Sequence, residues 1–259
     1  MGEATARTAP AFRINSVILF LVLGFLLSWY PWAIALYLHR GNGGPNPLGL
    51  FVAALIASAV AYGWRGVRDL LLGFVRIRMT TALAAIIVPL GAIAVALAIA
   101  VARGDSVTLK PPPWSDLFDR FVFTFLFVAL GEEPGWRGFL LPQLQRVMPP
   151  VAATLIVAGI WAFWHLPLMG TEFAWPVVPA FVVSVFGGAI FLSWLYNSAR
   201  GSIILPMITH TLLNTVGAGY AFHLVSNGVV FWWIYAGIWL AIGLSTIALT
   251  RWRLGVRKV

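Results

Sequence analysis

Gly131-Glu132-Glu133-Pro134-Gly135-Trp136-Arg137-Gly138 places three ionisable side chains inside a chain that is 61% hydrophobic and only 10% charged. A charged side chain at the centre of a bilayer costs roughly 2.5–3.5 kcal/mol on insertion scales, so two glutamates and an arginine persist there only with partners and a role. The stretch is therefore the presumptive centre of function. On a helix, Glu133 and Arg137 are i,i+4 neighbours with the acid on the N-terminal side, the better orientation for an ion pair. Glu132 points about 100° away. Its i+3 and i+4 neighbours are Gly135 and Trp136, so it has no basic partner on its own helix and stays available to exchange a proton. Pro134 lacks an amide proton and its ring clashes with the preceding turn, so the helix is expected to break or kink between Gly131 and Gly135. Irregular backbone at membrane depth is tolerated where it lines a cavity, which puts the cavity beside the carboxylates. The competing structural account is a Glu133–Arg137 pair that staples a bundle, with Glu132 merely hydrogen-bonded.

Outward from this centre the 259 residues divide into eight apolar runs, at 14–38, 48–64, 80–102, 117–145 with an interruption, 151–165, 177–196, 203–222 and 229–250. Soluble domains carry about 25% charged residues and do not absorb repeated apolar runs near 20 residues long. The expected fold is all-α: a polytopic membrane bundle of about eight transmembrane helices, with a broken helix at the active site. The expected organisation is a cytoplasmic arm (1–13), a single transmembrane domain (14–250, catalytic core about 117–222) and a basic cytoplasmic tail (251–259). The run at 14–38 is too long for the core of a cleavable signal peptide and is read as a retained span. The absence of cysteine excludes disulfides, thiolate metal sites and a cysteine nucleophile. The net charge of +9 does not make a nucleic-acid surface. With the N-terminus inside, 13 of the 17 basic residues fall on the inner side and 4, Arg40, Arg103, Lys110 and Arg120, on the outer, the positive-inside pattern that sets both termini in the cytoplasm.

The connections carry their own signals. Residues 41–47, Gly-Asn-Gly-Gly-Pro-Asn-Pro, form a turn cluster beside His39, which reads as an interfacial residue. Residues 64–79 hold four arginines and Asp69 and suit an amphipathic helix on the inner surface. Lys110-Pro111-Pro112-Pro113-Trp114 is a rigid outer connection, after which Asp116, Asp119 and Arg120 stand at the mouth of the fourth run. Three polar groups then appear in later runs. Trp161 precedes His165 by one turn, and Pro167 biases Leu166 away from helix, so His165 sits at or near a helix end. His210 and Asn214 are an i,i+4 pair that addresses a single point in space. His223 and Asn227 repeat that spacing at the outer edge, so depth and not spacing separates the two pairs. For each histidine the structural alternative is a satisfied packing or interhelical hydrogen-bonding residue. Gly187-Gly188 reads as a helix-packing surface. No zincin HExxH, GxSxG elbow or phosphate loop competes.

Glu132-Glu133-xxx-Arg137, the aromatic-xxx-His motif ending at His165, and His210-xxx-Asn214, each on its own late run, resemble the three motifs of the CAAX-protease and bacteriocin-processing family, bacterial branch. The resemblance covers roughly residues 121–214; Trp161 departs from the family's usual Phe, which affects the fine shape of the pocket. It implies an intramembrane endopeptidase of the bacterial cytoplasmic membrane, acting on membrane-associated substrates of the prenylated CAAX type or the leader and bacteriocin type. Its partners would be membrane lipid and a peptide or lipidated-protein substrate, with no nucleic acid. The implied catalytic residues are Glu132, His165, His210 and Asn214: Glu132 as base, His165 holding the water, His210 and Asn214 on the oxyanion. Glu133, Arg137 and Trp161 support them. No cofactor is obligatory on this reading. The alternative is one zinc ion on Glu132, His165 and His210, against which stands the lack of a carboxylate behind either histidine once Glu133 is paired with Arg137. A transporter, which also uses broken helices and midplane carboxylates, and a catalytically idle self-immunity protein of the same fold are the competing functions.

Overall fold

The computed structural model describes residues 12–41, 43–108 and 113–256. The expected arm over 1–11, the outer connection at 110–112 and the last part of the basic tail at 257–259 lie outside the described residues. The described residues form helices joined by short connections, with no β-strand among them. Helix α1 (Ile14–Tyr37) and α2 (Leu48–Leu71) form an antiparallel hairpin, followed by α3 (Met79–Ala102). A long rod, α4, runs from 114 to 144. Next come α5 (Pro150–Trp164), α6 (Val178–Ser198), α7 over 204–218, and α8 (Gly228–Leu249). These match the eight apolar runs in order. Five stretches are long and apolar enough to cross a membrane by themselves, α1, α3 and α8 among them; α4, α5 and α7 complete an integral membrane bundle as shorter or composite rods.

The amphipathic reading of 64–79 meets a sharp feature: Gly63 sits at φ 60°, ψ −153°, kinking α2 so that Trp64, Arg65 and Arg68 emerge exposed on one end of the bundle. Only glycine takes this backbone conformation without strain, so the turn from span to surface is written at one residue. A 3₁₀ turn (Leu72–Phe74) then leads into α3.

The expected break at Pro134 does not occur. Pro134 keeps helical angles (φ −61°, ψ −35°), and α4 stays continuous by widening. Two π-helical stretches, Thr124–Ala129 and Pro134–Leu140, bracket the α-helical turn Leu130–Glu133. The amide of Leu130 bonds back five residues to Phe125, and that of Leu141 to Trp136. A π turn accommodates the proline ring and lets the ladder skip the missing donor, which is why the helix bulges where a break was expected. The irregular backbone that packs into the bundle lies elsewhere, at 43–47. This segment folds back along α1, so that the Asn46 amide donates to the Ser28 carbonyl at 2.7 Å, and α2 begins beside Leu27 instead of at the end of α1.

Glycines set how closely the rods approach. A Cβ on Gly131 would lie 2.5 Å from the Pro47 carbonyl carbon, one on Gly135 3.2 Å from Leu50 and Phe20, and one on Gly138 2.5 Å from Leu70. This i, i+4, i+7 row seats α4 against the α1–α2 side, as small residues do in membrane bundles. Glu132 is thereby turned toward the opposite side. Gly187 does the same for α6 and α8, where a Cβ would stand 2.3 Å from the Trp239 carbonyl oxygen.

Candidate active site

Glu132 and Glu133 are adjacent and both buried, yet they face different surroundings. Glu132 lines a cavity of about 1080 Å³, together with His165, His210 and Asn214. Glu133 and Arg137 do not reach it; each is 0% exposed. The Arg137 Nη1 donates to both Glu133 carboxylate oxygens, at 2.9 and 3.1 Å. These are the i,i+4 partners expected from sequence, and the short charge-assisted bonds are the strong kind.

Glu133 has a second partner. The His210 Nδ1 lies 2.8 Å from Glu133 Oε1 and donates to it, since an ionised carboxylate only accepts. This corrects the expectation that no carboxylate stands behind either histidine: Glu133 serves Arg137 and His210 at once. The correction could not come from helical periodicity, because α4 and α7 are 77 residues apart at this contact.

Trp161 connects the remaining pieces. Its indole Nε1 donates to Glu132 Oε2 at 2.6 Å, and the Arg137 guanidinium lies over its ring, 4.3 Å from the centroid. Its ring stands edge-on to His210 at 5.6 Å and tilted to His165 at 5.7 Å. Trp161 therefore touches both Glu132 and Arg137. His165 caps the C-terminus of α5 as expected, followed by a 3₁₀ turn containing Pro167. Its Nδ1 donates to the Trp161 carbonyl at 2.8 Å. A carbonyl cannot donate, so in the neutral ring Nε2 keeps its lone pair as an acceptor.

His210 lies on the α-helical part of α7 (Ile204–Leu212), and Asn214 on its π-helical continuation (Leu213–Ala218). Both line the cavity. The second His-xxx-Asn pair behaves differently. His223 is exposed at the cavity rim, while Asn227 is the N-cap of α8, its Oδ1 accepting from the Val230 amide at 3.2 Å. An asparagine immediately before an apolar run carries that signal in the sequence.

The cavity wall is aromatic. Phe173 and Phe181 stack at 4.1 Å, and Trp232 meets both edge-on at 5.9 and 6.0 Å. These residues were not singled out from sequence, where they read as ordinary apolar positions. Along α4 the lining positions, Asp116, Asp119, Arg120, Phe123, Thr124, Phe127, Val128 and Glu132, recur at three- and four-residue spacing, a helical stripe that the sequence does contain. Gly44, Pro45 and Pro47 complete the wall.

A zinc ion would require Glu132, His165 and His210 within about 2.0–2.2 Å of one point. Among the described residues, no three such side chains gather as a metal-holding group, although the Glu133–His210 bond is of the type that orients metal-ligating histidines. What the arrangement offers as it stands is a buried carboxylate, an acceptor nitrogen, a second imidazole with a carboxylate behind it and an amide, around one cavity.

Residues 114–216 match the family model described as Type II CAAX prenyl endopeptidase Rce1-like. CAAX prenyl protease 2 of Methanococcus maripaludis is 29% identical over 106 residues, which cover 38% of this chain and 39% of that relative. The matched part spans less than half of either protein. It contains α4, α5, α6 and the part of α7 that bears His210 and Asn214, and with it all three motifs described above. Over residues 114–216 the chain is thus similar to Type II CAAX prenyl endopeptidases.

Proposed function

We propose that the chain is an intramembrane endopeptidase that hydrolyses peptide bonds of membrane-associated polypeptides with Glu132 as general base. One observation carries the proposal: of two adjacent buried acids, Glu132 alone lines the cavity, in company with His165, His210 and Asn214. The names of the matched family and relative agree with peptide hydrolysis.

The chemistry follows from the hydrogen bonds. A water in the cavity is held by the Nε2 lone pair of His165 and gives a proton to Glu132 as its oxygen attacks the scissile carbonyl. The Trp161 N–H fixes the Glu132 carboxylate in place. Asn214 donates to the oxyanion that develops on the substrate; such a donor typically contributes about 2.7–4 kcal/mol. His210 donates through Nε2 only when both ring nitrogens are protonated, because Nδ1 already gives its proton to Glu133. Glu133 is the counter-charge such a ring requires. Glu132 then returns its proton to the leaving amine, and the C–N bond breaks. The aromatic wall accepts apolar substrate groups, of a lipidated tail or of a leader or bacteriocin-type peptide.

The test compares membrane-associated peptides in cells expressing the wild type or Glu132→Gln. Peptides with new termini that appear only with the wild type support the assignment. Identical peptide populations, with both proteins present in the membrane at equal level, overturn it.

A further inference from the structure

We infer that the substrate reaches Glu132 from the extracytoplasmic side, so that the polypeptides cut are exported or membrane-tethered chains whose cleavable segment lies outside the cytoplasm. This rests on the endopeptidase reading above and concerns the same cavity. The argument combines the direction in which the cavity opens with the charge at the two ends of the bundle.

The cavity runs one way. From buried Glu132, His165 and His210 its lining proceeds to exposed Asp116, Asp119, Arg120, Glu172 and His223. These rim residues belong to the start of α4, the α5–α6 connection and the α7–α8 connection, which gather at one end. There the Thr108 amide bonds to Leu224, the Ser226 amide bonds to Ser106, and Arg120 lies against Gly219. Over the 16 residues from Asp116 to Glu132, α4 walls the cavity for on the order of 20 Å. Beyond Glu132 the same helix is sealed: Trp136, Arg137, Phe139, Leu140 and Leu141 are all buried. Among the described residues, no lining residue of this cavity comes from the opposite end.

The ends also differ in charge. At the sealed end the described residues carry nine arginines and one carboxylate, Asp69. Contacts between neighbouring connections hold this end together: Arg146 donates to Tyr62, the Ile203 amide to Gly73, and Arg78 to the Ser198 carbonyl. A separate notch of about 550 Å³ lined by Arg76, Arg78 and Arg200 belongs to it. At the open end the described residues carry three arginines, Arg40, Arg103 and Arg120, and four carboxylates, Asp105, Asp116, Asp119 and Glu172. Excess Lys and Arg in short connections marks the cytoplasmic side. The sealed end is thus cytoplasmic and the mouth is extracytoplasmic. A tail confined to the cytosol would meet the plug of α4 and not the cavity.

The natural chain has no cysteine, so single substitutions report cleanly. Asp119→Cys at the mouth and Arg200→Cys at the sealed end are treated with a membrane-impermeant maleimide in intact bacterial cells, then again after permeabilisation. Asp119→Cys should be labelled to the same extent before and after, and Arg200→Cys only after. The reverse pattern overturns the inference. A second measurement uses two reporters of the same peptide on one membrane anchor, placed on either face. Wild type should cut only the extracytoplasmic one, and cutting of only the cytoplasmic one overturns the inference. If the labelling is as expected while neither reporter nor any cellular peptide is cut, the endopeptidase reading fails and the direction of opening stands.

Discussion

Glu133→Gln isolates what the fully buried ion pair contributes. In the wild type the two Glu133 oxygens accept three hydrogen bonds, two from Arg137 at 2.9 and 3.1 Å and one from His210 at 2.8 Å. A glutamine keeps the shape but offers one acceptor oxygen and turns an N–H group toward donors. Arg137 then remains 0% exposed without its hydrogen-bonded counter-charge, held by the Trp161 ring and at most one neutral acceptor, with Glu132 the nearest remaining acid. Removing one partner of a buried pair costs about 3–5 kcal/mol, because the other charge stays uncompensated. Taking about 2–4 °C per kcal/mol for a protein of this size, the melting midpoint should fall by on the order of 10 °C. The assay is thermal unfolding of purified protein in detergent, followed by intrinsic tryptophan fluorescence. The double variant Glu133→Gln/Arg137→Met, which leaves no orphaned charge, should recover part of the loss. A single variant that melts within about 2 °C of the wild type would refute the claim that Glu133 is what holds Arg137 in the bundle.

Adjacent glycines on α6 should separate packing from binding. Gly187→Ala drives a methyl against the Trp239 backbone and should destabilise the protein by about 1–3 kcal/mol, read as a lowered midpoint. Gly188 lines the cavity and has nothing within 4 Å, so Gly188→Leu should leave the midpoint near wild type while raising KM for peptide substrates; equal effects of the two would contradict the assignment. Gly131→Ala should displace the 43–47 segment, since its Cβ would lie 2.5 Å from the Pro47 backbone, and limited proteolysis between α1 and α2 should speed up. Purified protein should keep its activity after exhaustive removal of divalent ions; loss to a chelator and restoration by zinc at one ion per chain would replace the base mechanism by a metal one.

Much of the bundle was legible because membrane spans are written as apolar runs. All eight helices follow them, and His165 stands at a helix end because Pro167 follows it. The pairing of Glu133 with Arg137 was legible for the same reason, being local to one helix. What could not be read was long-range or depended on backbone adjustment. Pro134 removes a donor, but the sequence does not say whether the helix answers by breaking or by widening into a π turn. The Gly-Pro cluster after α1 announces a turn, yet that it folds back to Ser28 depends on how α2 docks on α1 and α4. The Trp161–Glu132 and His210–Glu133 bonds join residues 29 and 77 positions apart, beyond any helical periodicity.

The central claim is that Glu132 takes the proton from the attacking water. Wild type and Glu132→Gln, reconstituted at equal amount and with equal melting midpoints, are incubated with a membrane-anchored peptide that wild-type cells cleave, and new amino termini are counted over time. General-base catalysis typically contributes about 10²–10⁴-fold, so new termini should form with the wild type and fall by at least that factor in the variant. Equal rates of terminus formation by the two proteins would contradict the account.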